Sequence, residues 1–171
     1  MTGSSDQTMM QWSITGELLK IMRGHTSAVL DVRLEEESIG NAAYSCSKDF
    51  TIKKWDLHTG ACVLTFSGHG AAVNAISVSG TVLASASGDN SIRLWNTGTG
   101  QLMKELLGHS RGLACIQFNG AYIVSGSNDR TIKVWDAVTG ECLRTLLGHT
   151  DLVRTLSFDD KKIGILFSFP S

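Results

Sequence analysis

The sequence predicts an all-β chain built from a tandem unit of about 40 residues, and three observations predict it. First, Gly-His recurs at Gly24-His25, Gly68-His69, Gly108-His109 and Gly148-His149, and every Trp of the chain (Trp12, Trp55, Trp95, Trp135) falls in step with it. Second, an Asp stands six residues before each Trp (Asp6, Asp49, Asp89, Asp129), and a hydroxyl four residues before each Asp (Thr2, Ser45, Ser85, Ser125). Third, short alternating or β-branched runs separate these marks, joined by Gly, Asp, Asn and Ser. With 18 Gly and a single Pro, Pro170, the turns must be made almost without proline.

Each unit reads as four strands of about five residues. The first alternates after Gly-His: Val29 to Leu34, Val73 to Val78, Leu113 to Phe118 and Val153 to Phe158. The second ends in Ser-x-Ser-x-Asp, at Ser45 to Asp49, Ser85 to Asp89 and Ser125 to Asp129. The third is Thr51 to Trp55, Ser91 to Trp95 and Thr131 to Trp135. The fourth is Ala61 to Phe66, Gln101 to Leu106 and Glu141 to Leu146, reached through a Thr-Gly turn or its counterpart at His58-Thr59-Gly60, Gly98-Thr99-Gly100 and Val138-Thr139-Gly140. The first full unit carries four extra residues within Glu35 to Ala43, where Glu35-Glu36-Glu37 is expected in a longer loop.

The two ends are cut out of phase. Thr2 to Thr8 aligns with Ser125 to Thr131, so the chain enters inside a second strand. At the other end the repeat holds to Ile163, after which the turn Asp is gone and Pro170 stands where Arg130 would fall.

With 15 basic and 16 acidic side chains the net charge is −1, which argues against a nucleic-acid binder needing concentrated Lys and Arg. Apolar content of 42% with 18% charge is that of a globular chain. No apolar run reaches a membrane span and the amino end carries no signal-peptide core, so an intracellular protein is expected. Cys46, Cys62, Cys115 and Cys142 form no Cys-x-x-Cys pair and are expected reduced and mostly buried. No metal or cofactor is expected.

Taken together, these marks resemble the WD (Trp-Asp) repeats of the β-propeller family over residues 2 to about 163, most closely in Gly108-His109 and Ile123 to Asp136. Trp-Asp itself stands at Trp55-Asp56 and Trp135-Asp136, and becomes Trp95-Asn96 and Trp12-Ser13. The resemblance implies an incomplete WD-repeat β-propeller: three full four-stranded blades (23–66, 67–106, 107–146), a partial blade at 1–22, the start of another at 147–163, and a divergent tail at 164–171. Family propellers close with about seven blades. For this chain the leading expectation is a fragment of a larger propeller that forms an open arc or assembles with another chain; a tight four-bladed ring completed by His149 with Thr2, Asp6 and Trp12, and self-association through open blade edges, also stay open.

His, Ser and Asp at fixed spacing suggest a hydrolase triad, but a catalytic site occurs once and this trio recurs in register, always with a Trp. In the family the four make a structural hydrogen-bond network. Carried over, the sets are His25, Ser45, Asp49, Trp55; His69, Ser85, Asp89, Trp95; and His109, Ser125, Asp129, Trp135. No catalytic residue is assigned. The resemblance implies a non-catalytic scaffold for other proteins or peptides, with contacts on the rim beside Gly-His and the Asp turn, where Lys48, Arg111, Arg130 and Arg154 stand. The turns Thr59 to Val63 and Thr139 to Leu143 are similar to those of F-box-type ubiquitin-ligase receptors. That second reading makes the chain part of a substrate receptor for acidic or phosphorylated peptides. Of the arginines such receptors carry, this chain has only Arg154 in place.

Overall fold

A computed structural model describes residues 1–35, 41–158 and 163–164. The centre of the longer loop (36–40) and the tail from 165 onward lie outside the described residues. Those described form strands and no helix, so none of them makes a helix able to cross a membrane.

The strands run as successive antiparallel meanders. β1 (Thr2–Gly3), β2 (Thr8–Trp12) and β3 (Leu18–Arg23) make a three-stranded sheet. β4 (Val29–Leu34), β5 (Ala42–Ser47), β6 (Ile52–Asp56) and β7 (Cys62–Phe66) make a four-stranded one. So do β8 (Val73–Ser79), β9 (Val82–Ser87), β10 (Ser91–Asn96) and β11 (Leu102–Leu107). The third such sheet holds β12 (Leu113–Phe118), β13 (Tyr122–Ser127), β14 (Ile132–Asp136) and β15 (Cys142–Leu146). β16 (Ser157–Phe158) pairs with β17 (Ile163–Gly164). The fold is an incomplete propeller of three full blades flanked by two partial sheets. No strand of the first sheet is hydrogen-bonded to β16 or β17.

The core lies between neighbouring sheets. Tyr44, Cys46, Ile52 and Phe66 of one pack on Val73, Ile76, Leu83 and Trp95 of the next. Ala84, Ile92 and Leu106 then meet Leu113, Ile116, Ile123 and Trp135. Both faces of β5, β9 and β13 are covered, which explains their small or apolar residues. Each pairing of third and fourth strands slips just before its Trp, between Gln11 and Trp12, Lys54 and Trp55, Leu94 and Trp95, and Val134 and Trp135. The extra residue of each slip lies on the fourth strand, at Leu19, Val63, Met103 and Leu143, where a bulge bends that outer strand opposite the Trp.

The innermost strands β4, β8 and β12 are sheet edges, and an edge with unpaired amides and carbonyls is a liability. Side chains of the preceding sheet answer part of that need. Asp31 Oδ2 accepts from Ile76 N at 3.1 Å, while Arg33 Nε donates to Ile76 O at 3.1 Å. One sheet on, Phe118 N donates to Ser77 Oγ at 3.1 Å, and Phe158 N donates to Gln117 Oε1 at 2.6 Å.

Two expectations are corrected. The strand expected at Val153 to Phe158 is reduced to Ser157–Phe158. In the full sheets the first half of that strand pairs with the end of the second, as Leu113 does with Ser127, and the corresponding partners here fall beyond 164. Val153 and Leu156 are nonetheless buried against the fourth sheet. Of the cysteines, Cys46 and Cys115 are buried but Cys62 and Cys142 are exposed, because each opens an outer strand whose side chains face solvent.

Candidate functional site

Three four-membered polar chains run through the three full sheets. Trp55 Nε1 donates to Ser45 Oγ at 2.8 Å, and His25 Nε2 lies 2.7 Å from the same oxygen. His25 Nδ1 lies 2.7 Å from Asp49 Oδ2. The next two sheets repeat this within 0.2 Å: Trp95–Ser85 at 2.9 Å, Ser85–His69 at 2.7 Å and His69–Asp89 at 2.8 Å, then Trp135–Ser125, Ser125–His109 and His109–Asp129 at 2.9, 2.9 and 2.8 Å. Ser45, Ser85 and Ser125 are fully buried.

The chemistry fixes the protons. Burial pushes His25, His69 and His109 below the usual imidazole value, more than the neighbouring carboxylate raises them, so each ring is neutral at pH 7. A carboxylate only accepts, so Nδ1–H donates to Asp; Nε2 then accepts from the serine O–H, whose oxygen accepts from the indole. Each Asp also accepts from the amide after its His (Thr26, Gly70, Ser110) and from the amide and hydroxyl two residues on (Thr51, Ser91, Thr131). Burial raises Asp49, but the bonds from Thr51, Thr26 and His25 outweigh it and hold the carboxyl down to about 2. Asp89 and Asp129 lie well below the ordinary range through the same balance. Each serine hydroxyl lies fully buried between its indole and its imidazole, so these chains present no accessible nucleophile. Among the described residues no three His, Cys, Asp or Glu side chains gather as metal ligands.

Glycine before histidine has a steric reason. A Cβ on Gly108 would stand 3.0 Å from the Trp135 ring, and one on Gly24 3.1 Å from Trp55. The backbone must pass close over the indole.

The rim carries the exposed charge. Ser127 Oγ donates to the Arg111 carbonyl, Asn128 N donates to Gly112 O, and Val153 N donates to Ser127 O. Arg130 lies in the turn 127–131, the Arg111 backbone is bonded to it, and Arg154 follows Val153, which is bonded to it; all three are exposed. Lys48 is exposed at the equivalent turn two sheets away, where its amide donates to Ala28 O.

Sequence reasoning missed one cluster. Glu35, at the start of the longer loop, is buried: Tyr44 Oη donates to its Oε1 at 2.7 Å and Lys54 Nζ at 3.2 Å, with the ammonium 5.3 Å from the Tyr44 ring centre. Burial, then the Glu35 bond, raises the Tyr44 phenol. The signal was a departure from the repeat, since the cross-strand pair Tyr44–Lys54 stands where the other sheets have Ala84–Leu94 and Val124–Val134.

Comparison with known proteins agrees with this geometry. The family described as "WD domain, G-beta repeat" matches residues 16–56, 60–96 and 100–136, more than half of the chain. The chain is 36% identical over 79 residues to the F-box/WD repeat-containing protein sel-10 of Caenorhabditis elegans, covering 44% of this chain and 13% of that protein. It is 45% identical over 65 residues to the nuclear distribution protein PAC1 of Candida glabrata, covering 37% and 13%. Against the probable E3 ubiquitin ligase complex SCF subunit sconB of Arthroderma otae it is 40% identical over 57 residues, covering 33% and 8%. These alignments take in about an eighth or less of each relative's length.

Proposed function

Because the chain belongs to the WD-repeat family, we propose that it is a non-catalytic platform for other proteins, engaging them through the rim that carries Arg111, Arg130 and Arg154. The observation that carries this reading is the division of labour among its polar groups. The repeated His, Ser, Asp and Trp are hydrogen-bonded to one another within the blades, whereas these three arginines are exposed at or beside one turn. Planar guanidinium groups in that arrangement favour carboxylate or phosphate on an extended peptide. The near-zero net charge supports a protein partner over nucleic acid or a membrane surface, and reduced thiols fit an intracellular setting.

The second reading, a substrate-receptor part of a ubiquitin ligase, is favoured by the names of two relatives, an F-box/WD repeat protein and an SCF subunit. A peptide array bearing matched phosphorylated, acidic and neutral sequences tests both. Capture of acidic or phosphorylated peptides, lost in an Arg111→Glu/Arg130→Glu/Arg154→Glu chain of unchanged melting temperature, is the expected result. Phosphate-dependent capture favours the receptor reading. Binding indifferent to all three substitutions would overturn the rim assignment.

A further inference from the structure

The turn between second and third strands recurs in each full sheet, and in the β4–β7 sheet its chemistry differs. Phe50 stands where the next two sheets have Asn90 and Arg130, at positive φ of 70°, 70° and 69°. Left-handed backbone suits Asn and strains a bulky aromatic residue. Neighbouring bonds hold the turn in that shape: Phe50 N donates to Ser47 O, Lys48 N to Ala28 O, and Ser47 Oγ to Ser27 O. Strain that is over-determined in this way gathers at ligand contacts. The ring gains little from the fold in return, since Phe50 is 46% exposed.

Two neighbours share the departure from the repeat. Lys48 is exposed and stands where the other sheets have Gly88 and Asn128. Leu30, 38% exposed, is the extra residue of the slip between Val29 and Asp31, and Val29 pairs with Ser47 at the start of the turn. The counterparts of Leu30 are Asn74 and Ala114. The carboxylate of the same turn faces inward. Asp49 accepts from His25, Thr26 and Thr51, and its side chain is 7% exposed. The outer face of this turn is therefore apolar and cationic, with its own carboxylate withdrawn.

We propose that the rim of the β4–β7 sheet is an apolar subsite for an acidic peptide. Phe50 and Leu30 receive one large apolar side chain of the peptide, and Lys48 pairs with a carboxylate beside it. Charge complementarity selects the acidic partner, and covering the ring returns the apolar burial that the fold leaves unused. A rigid aromatic anchor beside a cation is the composition of a binding hot spot. This rests on the reading of the rim as the binding face, and narrows its partner to peptides whose acidic residues flank a large apolar one.

An array of short Ser/Gly peptides with a fixed Glu-Glu pair, in which a single Phe or Ser is moved along the sequence, tests the proposal on the full chain. The expected result is one Phe position that tightens binding about tenfold over Ser, measured by fluorescence anisotropy. Phe50→Gly abolishes that preference while raising the urea midpoint, so the loss is not one of folding. Phe50→Tyr retains the preference. Lys48→Glu weakens every acidic peptide. Val138→Ser, at the opposite end of its sheet and exposed, changes nothing. A Phe preference that survives Phe50→Gly, no preferred Phe position, or an equal loss in Val138→Ser overturns the subsite. If Arg111→Glu/Arg130→Glu/Arg154→Glu still removes acidic binding in those cases, the rim reading stands without it. An array that captures no acidic peptide overturns both.

Discussion

Asp129 shows what one residue of the repeat sustains. Its carboxylate accepts from His109, the Ser110 amide, and the amide and hydroxyl of Thr131. Hydrogen bonds to a charged group are worth about 1.5–3 kcal/mol each, and truncation leaves buried donors without an acceptor. Asp129→Ala should therefore cost about 3 kcal/mol in urea denaturation, whereas exposed Glu141→Ala should stay within about 0.5 kcal/mol. Equal midpoints for the two variants would refute a structural role for the carboxylate. The same turns hold a residue under strain. Phe50, Asn90 and Arg130 take positive φ of 70°, 70° and 69°, the left-handed residue that follows a type I turn in a three-residue hairpin. For a bulky side chain this is costly, and Phe50 is 46% exposed, so little packing compensates. Phe50→Gly should raise stability by about 0.5–1 kcal/mol, read as a higher urea midpoint at unchanged slope. A lower midpoint would mean that the ring contributes more than its exposure suggests.

At the scale of strands and sheets, legibility followed repetition. The four-stranded unit, its Trp register and the partners of each Asp recur in phase, so three copies of the pattern declared what one could not. What does not recur stayed hidden. Glu35 sits at the head of an acidic run expected in a longer loop, yet it is buried and bonded to Tyr44 and Lys54. The Asp31–Arg33 clamp on Ile76 bonds backbone more than 40 residues away, and neither partner belongs to the repeat's marks. Cys62 and Cys142 lie in apolar runs, but on outer strands that expose such runs to water. The Glu35 cluster makes its own prediction. Breaking a buried ion pair from one side leaves a charge without compensation, so Lys54→Met should cost about 3 kcal/mol. Replacing the group together, as Glu35→Gln/Tyr44→Phe/Lys54→Met, should recover most of that loss, because the stranded carboxylate goes with it. If the triple variant melts no higher than the single one, Glu35 draws its compensation from elsewhere.

Over the whole molecule the three polar chains titrate in one direction. His25, His69 and His109 are held neutral mainly by burial, so their folded values lie below the ordinary one near 6.5. Between those values and about 6.5 the unfolded chain binds more protons than the folded one, and stability falls as the pH drops. Asp49, Asp89 and Asp129 are also depressed in the folded state, Asp49 to about 2. Their contribution is complete above the unfolded value of about 3.9 and is lost as pH falls through the folded ones. The two groups act in succession, imidazoles first and carboxylates later, and each appears once per full sheet. The melting temperature should thus be level from pH 8 to about 7, decline from about 6.5 downward, and fall more steeply below about 4. Differential scanning calorimetry across that range reads it directly. A melting temperature that rises as the pH falls from 7 to 5.5 would mean that the imidazoles are protonated in the folded state. The proton order Trp to Ser to His to Asp would then be wrong in all three blades at once.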